Sequence, residues 1–110
     1  MGIERREHAR VDVLWKARIV WPGRGIEAGR VRNISRSGLF LETLVPAQDR
    51  EILLVEFDAI IGINVRTIRI KAKVMHRTLK NDGVFGYGIL FDLISVDDQR
   101  FVLSYVERNG

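Results

Sequence analysis

The chain contains no cysteine, which removes a disulfide framework, a thiolate nucleophile and a cysteine-based zinc site from consideration. Histidine is nearly as scarce. His8 and His76 are the only two, and without a His-x-x-x-His spacing they offer no dedicated metal site. No apolar run approaches the ~20 residues that cross a bilayer, and the chain is charged from Glu4 onward, so neither a membrane span nor a secretory leader is expected. A cytoplasmic protein without membrane insertion follows as the expectation. There is also no Gly-x-Gly-x-x-Gly or Walker-type phosphate loop, no Ser-His-Asp trio and no pair of carboxylates in an apolar setting. No catalytic residue is assigned, and an enzyme is not expected.

What is present suits one compact domain. The chain has 110 residues, of which 46% are hydrophobic and 29% charged, and Trp 2, Tyr 2 and Phe 5 supply bulk for an ordinary core. Its net charge of +4 is unevenly spread. Residues 1–15 are neutral, 16–36 carry +5, 37–58 carry −4, 59–80 carry +6 and 81–110 carry −3. Two basic blocks parted by an acidic one predict a folded surface with a positive sector and an anionic ligand, rather than a uniformly basic coat for nucleic-acid polymer.

Hydrophobic alternation gives the elements. Val11, Val13, Trp15, Ala17, Ile19 and Trp21 fall on one parity, predicting a half-buried strand that places both tryptophans in the core. Pro22-Gly23-Arg24-Gly25 breaks it, and Ile26–Ile34 returns as the second arm of a hairpin. Short strands are expected at 39–44 and 51–57, the latter nearly unbroken in its apolar character. Ile68, Ile70, Ala72 and Val74 alternate with Arg69, Lys71 and Lys73, predicting a long strand over 65–78 with one cationic, solvated face. Asn81-Asp82-Gly83 marks a turn before a last strand over 84–92, where Gly86 and Gly88 leave room for a close approach. Ser95 followed by Asp98 reads as a helix start, and Phe101, Val102, Tyr105 and Val106 form one helical stripe, predicting a helix over 96–107. Asp97 and Asp98 then serve as first-turn charges. The expected fold is all-β with one helix: a six-stranded antiparallel β-barrel closed by a C-terminal α-helix, as barrels remove exposed strand edges.

Two polar segments stand out against this frame. Arg5-Arg6-Glu7-His8-Ala9-Arg10 leads into the first strand with Arg6 and Arg10 four apart, and Asn33-Ile34-Ser35-Arg36-Ser37-Gly38 links the second strand to the third. In order and position they resemble the two signatures of the PilZ domain family, Arg-x-x-x-Arg and Asp/Asn-x-Ser-x-x-Gly, and Gly86–Phe91 resembles the family's closing strand. The resemblance implies a stand-alone bacterial receptor for cyclic di-GMP, with Arg6, Arg10, Asn33, Ser35 and Gly38 as ligand-binding residues and Arg5 and Arg36 as additional contacts. It requires no cofactor and no metal.

The ligand's chemistry explains the residue types. Cyclic di-GMP carries two phosphodiester anions and guanine edges with adjacent O6 and N7 acceptors, and the planar, permanently charged arginine fork matches both. By resemblance, Asn33 reads a guanine edge, Ser35 bonds base or phosphate, and Gly38 supplies a conformation or clearance that a side chain would spoil. Residues 1–10 are expected to form a flexible ligand-clamping segment, 11–94 the barrel and 95–110 the helix. Ligand binding would fold the segment over the barrel and present a new surface to an unidentified protein partner in motility, adhesion or biofilm control. Two other readings stand beside this one. The first is a PilZ-like adaptor that binds no ligand. The second is a small basic barrel for single-stranded nucleic acid, for which Phe85 and Tyr87 are the ambiguous stacking residues.

Overall fold

A computed structural model describes residues 9–23, 25–48 and 50–110. Six strands form where the alternation runs: β1 (Val11–Trp21), β2 (Gly25–Ile34), β3 (Gly38–Thr43), β4 (Ile52–Ile61), β5 (Asn64–Leu79) and β6 (Phe85–Ile94). The helix α1 (Val96–Asn109) follows. All neighbouring strands are antiparallel, and the order β1-β2-β3-β6-β5-β4 closes on itself. The expected six-stranded barrel with one terminal helix is the architecture found.

Alternation sorts the side chains between core and solvent. Trp15, Ala17, Ile19 and Trp21 of β1, Leu53, Val55, Phe57 and Ala59 of β4, and Ile68, Ile70, Ala72 and Val74 of β5 are all buried. Both tryptophans thus belong to the core. β4 departs from the sequence expectation in extent and character. It continues to Ile61, because the antiparallel register with β5 holds from Ile52↔Lys73 to Ile61↔Asn64, and Leu54 points outward and is exposed. Ile60-Ile61-Gly62-Ile63 is therefore the end of a hairpin, turned at Gly62 with φ 61° and exposing Ile63 at its tip. Glycine takes that left-handed backbone without the steric cost of a Cβ.

The segment between β3 and β4 joins strands that are not neighbours, and a buried tyrosine anchors it. The Tyr87 hydroxyl donates to the Val45 carbonyl at 2.9 Å and accepts the Ala47 N–H at 2.6 Å. Phe85 stacks on the same ring at 6.4 Å between centroids. Tyr87 is accordingly a core residue, and Phe85 is half-buried against it. At the other end of the chain, Ser95 Oγ accepts the Asp98 N–H at 3.1 Å and starts α1 as its spacing predicted. Val102 and Val106 are buried, and Tyr105 meets Trp15 at 5.2 Å, with Trp15 in turn stacked on Phe57 at 6.0 Å. An aromatic chain thereby ties helix to barrel. Asp98 does more than complement the helix dipole: it accepts from Arg66 Nη2 at 2.8 Å, and the Arg66 guanidinium lies 5.2 Å from the Phe101 ring centre.

The ring closes through a short seam, Ala17–Val20 of β1 against Leu54–Phe57 of β4. Outside it, Arg18 forks onto Asp58 at 2.7 and 3.1 Å and reaches Glu56 at 2.6 Å, while Arg69 of β5 holds the other Glu56 oxygen at 2.5 Å. Bidentate pairing makes this network stronger than an isolated surface pair, which is worth about 0–1 kcal/mol. Hydrogen bonding from Arg18 is the main cause holding both carboxyls below their ordinary range, and Asp58 followed by Glu56 raises Arg18 above its own. A carboxyl whose folded pKa is depressed stabilises the fold above its unfolded pKa, and that contribution is lost as pH falls through the folded value. With ordinary values of 4.5 for Glu56 and 3.8 for Asp58, the loss belongs to the acid side of that range. The urea midpoint is expected to be lower at about pH 3 than at about pH 6. Arg18→Met should narrow the difference, and an unchanged difference in that variant would show that the seam contributes nothing to acid sensitivity.

Candidate ligand-binding site

Two bulges shape the corner where β1, β2 and β3 meet. Pairing slips between Asp12 and Trp15 on β1 and between Val31 and Asn33 on β2. Bulges change side-chain phase and re-aim the residues beside them. Here Arg32 is exposed and Asn33 half-buried, while Ile34 and Ser35 are buried. Arg10, exposed just ahead of β1, donates from Nη1 to Asn33 Oδ1 at 3.0 Å. The pairing Asp12↔Asn33 makes this possible, since it folds the start of β1 onto the end of β2 and brings together positions 23 apart in sequence. Arg5, Arg6 and His8 lie outside the described residues.

The turn that follows is built around Ser35, which is only 3% exposed. Its N–H donates to the Gly38 carbonyl at 2.8 Å, and its hydroxyl accepts the Ser37 N–H at 3.3 Å and lies 3.3 Å from the Gly38 carbonyl oxygen. The two serine hydroxyls are 3.4 Å apart. Ser35 therefore organises the loop between Asn33 and Gly38. Gly38 is buried at the start of β3, where a Cβ would overlap the Ile89 carbonyl oxygen on β6. Its need is clearance from a facing backbone and not an unusual φ. Arg36 is exposed at the tip of the turn. With Ser37, Phe91, Gln99 and Leu103 it borders a cleft of about 410 Å³ that continues to α1, and the Ser37 carbonyl accepts the Phe91 N–H at 2.9 Å.

Next to Asn33 lies a feature that the sequence did not single out, a groove of about 370 Å³ bordered by Asp12, Arg32, Phe40, Glu42 and Lys80. The Phe40 ring lies over Gly86, which has no side chain to displace it, so the glycine noted in the last strand makes room for an aromatic. Lys80 Nζ sits 5.5 Å from the Phe40 ring centre and 2.6 Å from Glu42 Oε2, and Arg32 Nη1 approaches Glu42 Oε1 at 3.3 Å. Hydrogen bonding from Lys80 is the largest cause holding the Glu42 carboxyl below its usual range, with Arg32 adding to it. The missing signal was tertiary: Lys80 is 38 positions from Glu42 in sequence. Among the described residues no three histidine, aspartate or glutamate side chains gather as metal ligands, and no helix is long and apolar enough to cross a membrane.

This arrangement, an arginine ahead of β1 touching an Asn-x-Ser-x-x-Gly turn on a six-stranded barrel, agrees with a sequence model of the PilZ domain that matches residues 4–108. The chain belongs to the PilZ domain family. The barrel is similar to that of the motility inhibitor MotI/DgrA of Bacillus subtilis, with a TM-score of 0.83 at 21% identity over 96% of this chain and 51% of that one. YcgR of Escherichia coli in complex with c-di-GMP gives 0.77 at 12% identity, over 96% and 46%. The PilZ domain of YcgR with c-di-GMP gives 0.68 at 13%, over 96% and 93%. At these identities the likeness establishes the PilZ fold, and the chain spans about half the length of MotI and of YcgR. No curated protein matches it in sequence.

Within the PilZ signature, Gly38 has a structural task, since it lets β3 approach the backbone of β6. Gly38→Ala is expected to destabilise the fold by roughly 1–3 kcal/mol, the usual scale of overpacking, because β3 and β6 must part to admit the methyl group. Chemical denaturation measures this, and a variant as stable as the parent would show that the β3–β6 contact is looser than the structure has it.

Proposed function

We propose that this PilZ domain is a non-enzymatic receptor for cyclic di-GMP that passes its ligand state to a protein partner. The observation that carries the reading is the contact between Arg10 and Asn33, which joins the two halves of the family signature at one exposed corner. A planar cation beside an amide edge, open to solvent, offers donors for a phosphodiester and for guanine O6 and N7, together with an amide that can both donate and accept. Arg6 is proposed as the second clamp, with Arg5 and Arg36 as additional contacts. Asn33 reads a guanine edge. Ser35 acts first by holding the turn and, where its hydroxyl exchanges a turn bond for the ligand, by direct contact, while Gly38 keeps the strand below in place. Support for the ligand class comes from the complexes of YcgR with c-di-GMP, and MotI's role in motility supports a motility, adhesion or biofilm output. The proposed setting is the cytoplasm.

Calorimetric titration of cyclic di-GMP with GTP as a competitor tests the receptor reading. A micromolar dissociation constant corresponds to about 8 kcal/mol, and a hydrogen bond to a charged group contributes roughly 1.5–3 kcal/mol. Arg10→Ala and Arg6→Ala should each weaken binding on the order of tenfold or more, Ser35→Ala should cost less, and Arg69→Ala almost nothing. Absence of binding by the folded wild-type protein would leave the ligand-independent adaptor as the reading.

The proposed switch has its own readout. Backbone amides of Arg5–Arg10 should lose fast motion when cyclic di-GMP is added, as the leading segment closes over the ligand. Identical 15N relaxation with and without saturating ligand would overturn the switch while leaving ligand binding intact.

A further inference from the structure

The outer face of the barrel carries an apolar row that the ligand site does not use. Strand register aligns it: Ile26 pairs with Val20, Val20 with Leu54, Leu54 with Lys71, and Lys71 with Leu93. Residues opposite one another in a ladder project from the same face. Ile26, Val20, Leu54 and Leu93 are 69%, 37%, 51% and 66% exposed, although isolated surface positions of this kind are ordinary. Here Ile26, Val20 and Leu54 are contiguous and Leu93 follows beyond Lys71, and they line a groove of about 830 Å³ together with Arg18, Glu56, Arg69 and Lys71. Contiguous exposed apolar surface with a polar rim is characteristic of an interaction site.

The rim says what kind of partner fits. Arg18, Arg69 and Lys71 line the groove with one carboxylate, Glu56, and Arg18 is further paired with Asp58 beside it. Glu56 is already held by both Arg18 and Arg69, and Lys71 has no ion-pair partner among the described residues. Lys71 sits inside the apolar row itself, between Leu54 and Leu93. A second copy of the chain would offer Lys71 no free carboxylate, since the groove's own Glu56 is already held by Arg18 and Arg69, and self-association through this face is therefore disfavoured. A segment with apolar side chains and aspartate or glutamate beside them satisfies both the row and its lysine.

We infer that the groove formed by Val20, Ile26, Leu54, Lys71 and Leu93 is a docking surface for an acidic, amphipathic segment of a partner protein. This goes beyond the ligand reading and does not depend on it, since the groove shares no residue with the Arg10–Asn33 corner. The apolar row supplies burial, and Lys71 supplies selectivity for acidic over basic segments.

The probe is a displayed library of random peptides roughly 16 residues long, selected on the wild-type protein and counter-selected on Leu54→Glu. Leu54 is exposed, so the variant should fold, and its circular dichroism and melting curve check this. Leu93→Glu provides a second variant on a different strand. Clones enriched on wild type should carry aspartate or glutamate among apolar residues, and should bind Leu54→Glu, Leu93→Glu and Lys71→Glu at least tenfold more weakly. Arg10→Ala should retain them fully, which separates failure of ligand binding from failure of docking. The inference is overturned if no clone distinguishes wild type from Leu54→Glu, if the distinguishing clones are basic, or if wild type sediments as a dimer that Leu54→Glu dissociates. The last outcome would assign the groove to a second copy of the chain.

Discussion

Closure of the barrel through the short β1–β4 seam is the constraint on which the rest of the molecule depends. Only four residues on each side form it, Ala17–Val20 and Leu54–Phe57, yet without it β1 and β4 would be free edges of an open sheet. The Arg18 fork onto Asp58 and Glu56, extended to Arg69, bridges β1, β4 and β5 outside the seam, while Ala17, Ile19, Val55 and Phe57 fill the space inside. Closure also fixes what lies at each end of β1. Its later half builds the seam and the apolar row, and its first residues are left against the end of β2, where Arg10 meets Asn33. One strand therefore serves two surfaces, and its bulge between Asp12 and Trp15 separates them.

The barrel was legible in sequence because its strands are amphipathic at period two and the turns between them are chemically explicit. β5 is the clearest case, with Ile68, Ile70, Ala72 and Val74 inward and Arg69 and Lys71 outward. The expectation for β4 stops at Phe57, and only the register with its partner strand shows that it continues to Ile61. The Arg10–Asn33 corner was visible as two motifs whose proximity required the β1–β2 register. The groove of Arg32, Phe40, Glu42 and Lys80 was not visible, since its members come from β2, β3 and the β5–β6 connection, and no local pattern links them. The outer apolar row was hidden for a related reason: its residues are one per strand, each unremarkable in its own segment.

The signature turn also illustrates how a short motif can combine separate physical tasks. Ser35 closes the loop with its own hydroxyl, and Gly38 permits β3 to approach β6. Asn33, by contrast, points its amide at a cation on the surface. Substitution at the first two positions disturbs backbone geometry before it removes any contact to a ligand, whereas substitution at Asn33 acts at the surface. Loss of function at Ser35 or Gly38 is therefore weaker evidence of direct contact than loss at Arg10 or Asn33.

The identity of residue 33 bears on the proposed function in a specific way. A neutral amide oxygen holds Arg10 through one hydrogen bond, at 3.0 Å, where a carboxylate could hold it as a bidentate ion pair. A carboxylate would add a second hydrogen bond and the attraction of a full negative charge, so an aspartate here would compete harder with an incoming phosphodiester for the same guanidinium. Asparagine loses the full negative charge that best accepts guanine N–H donors, but it leaves Arg10 easier to divert and adds no repulsion toward an anion. The two effects oppose one another across a single atom change, and on the proposed reading the asparagine favours release of the arginine to the ligand over the strength of the resting contact.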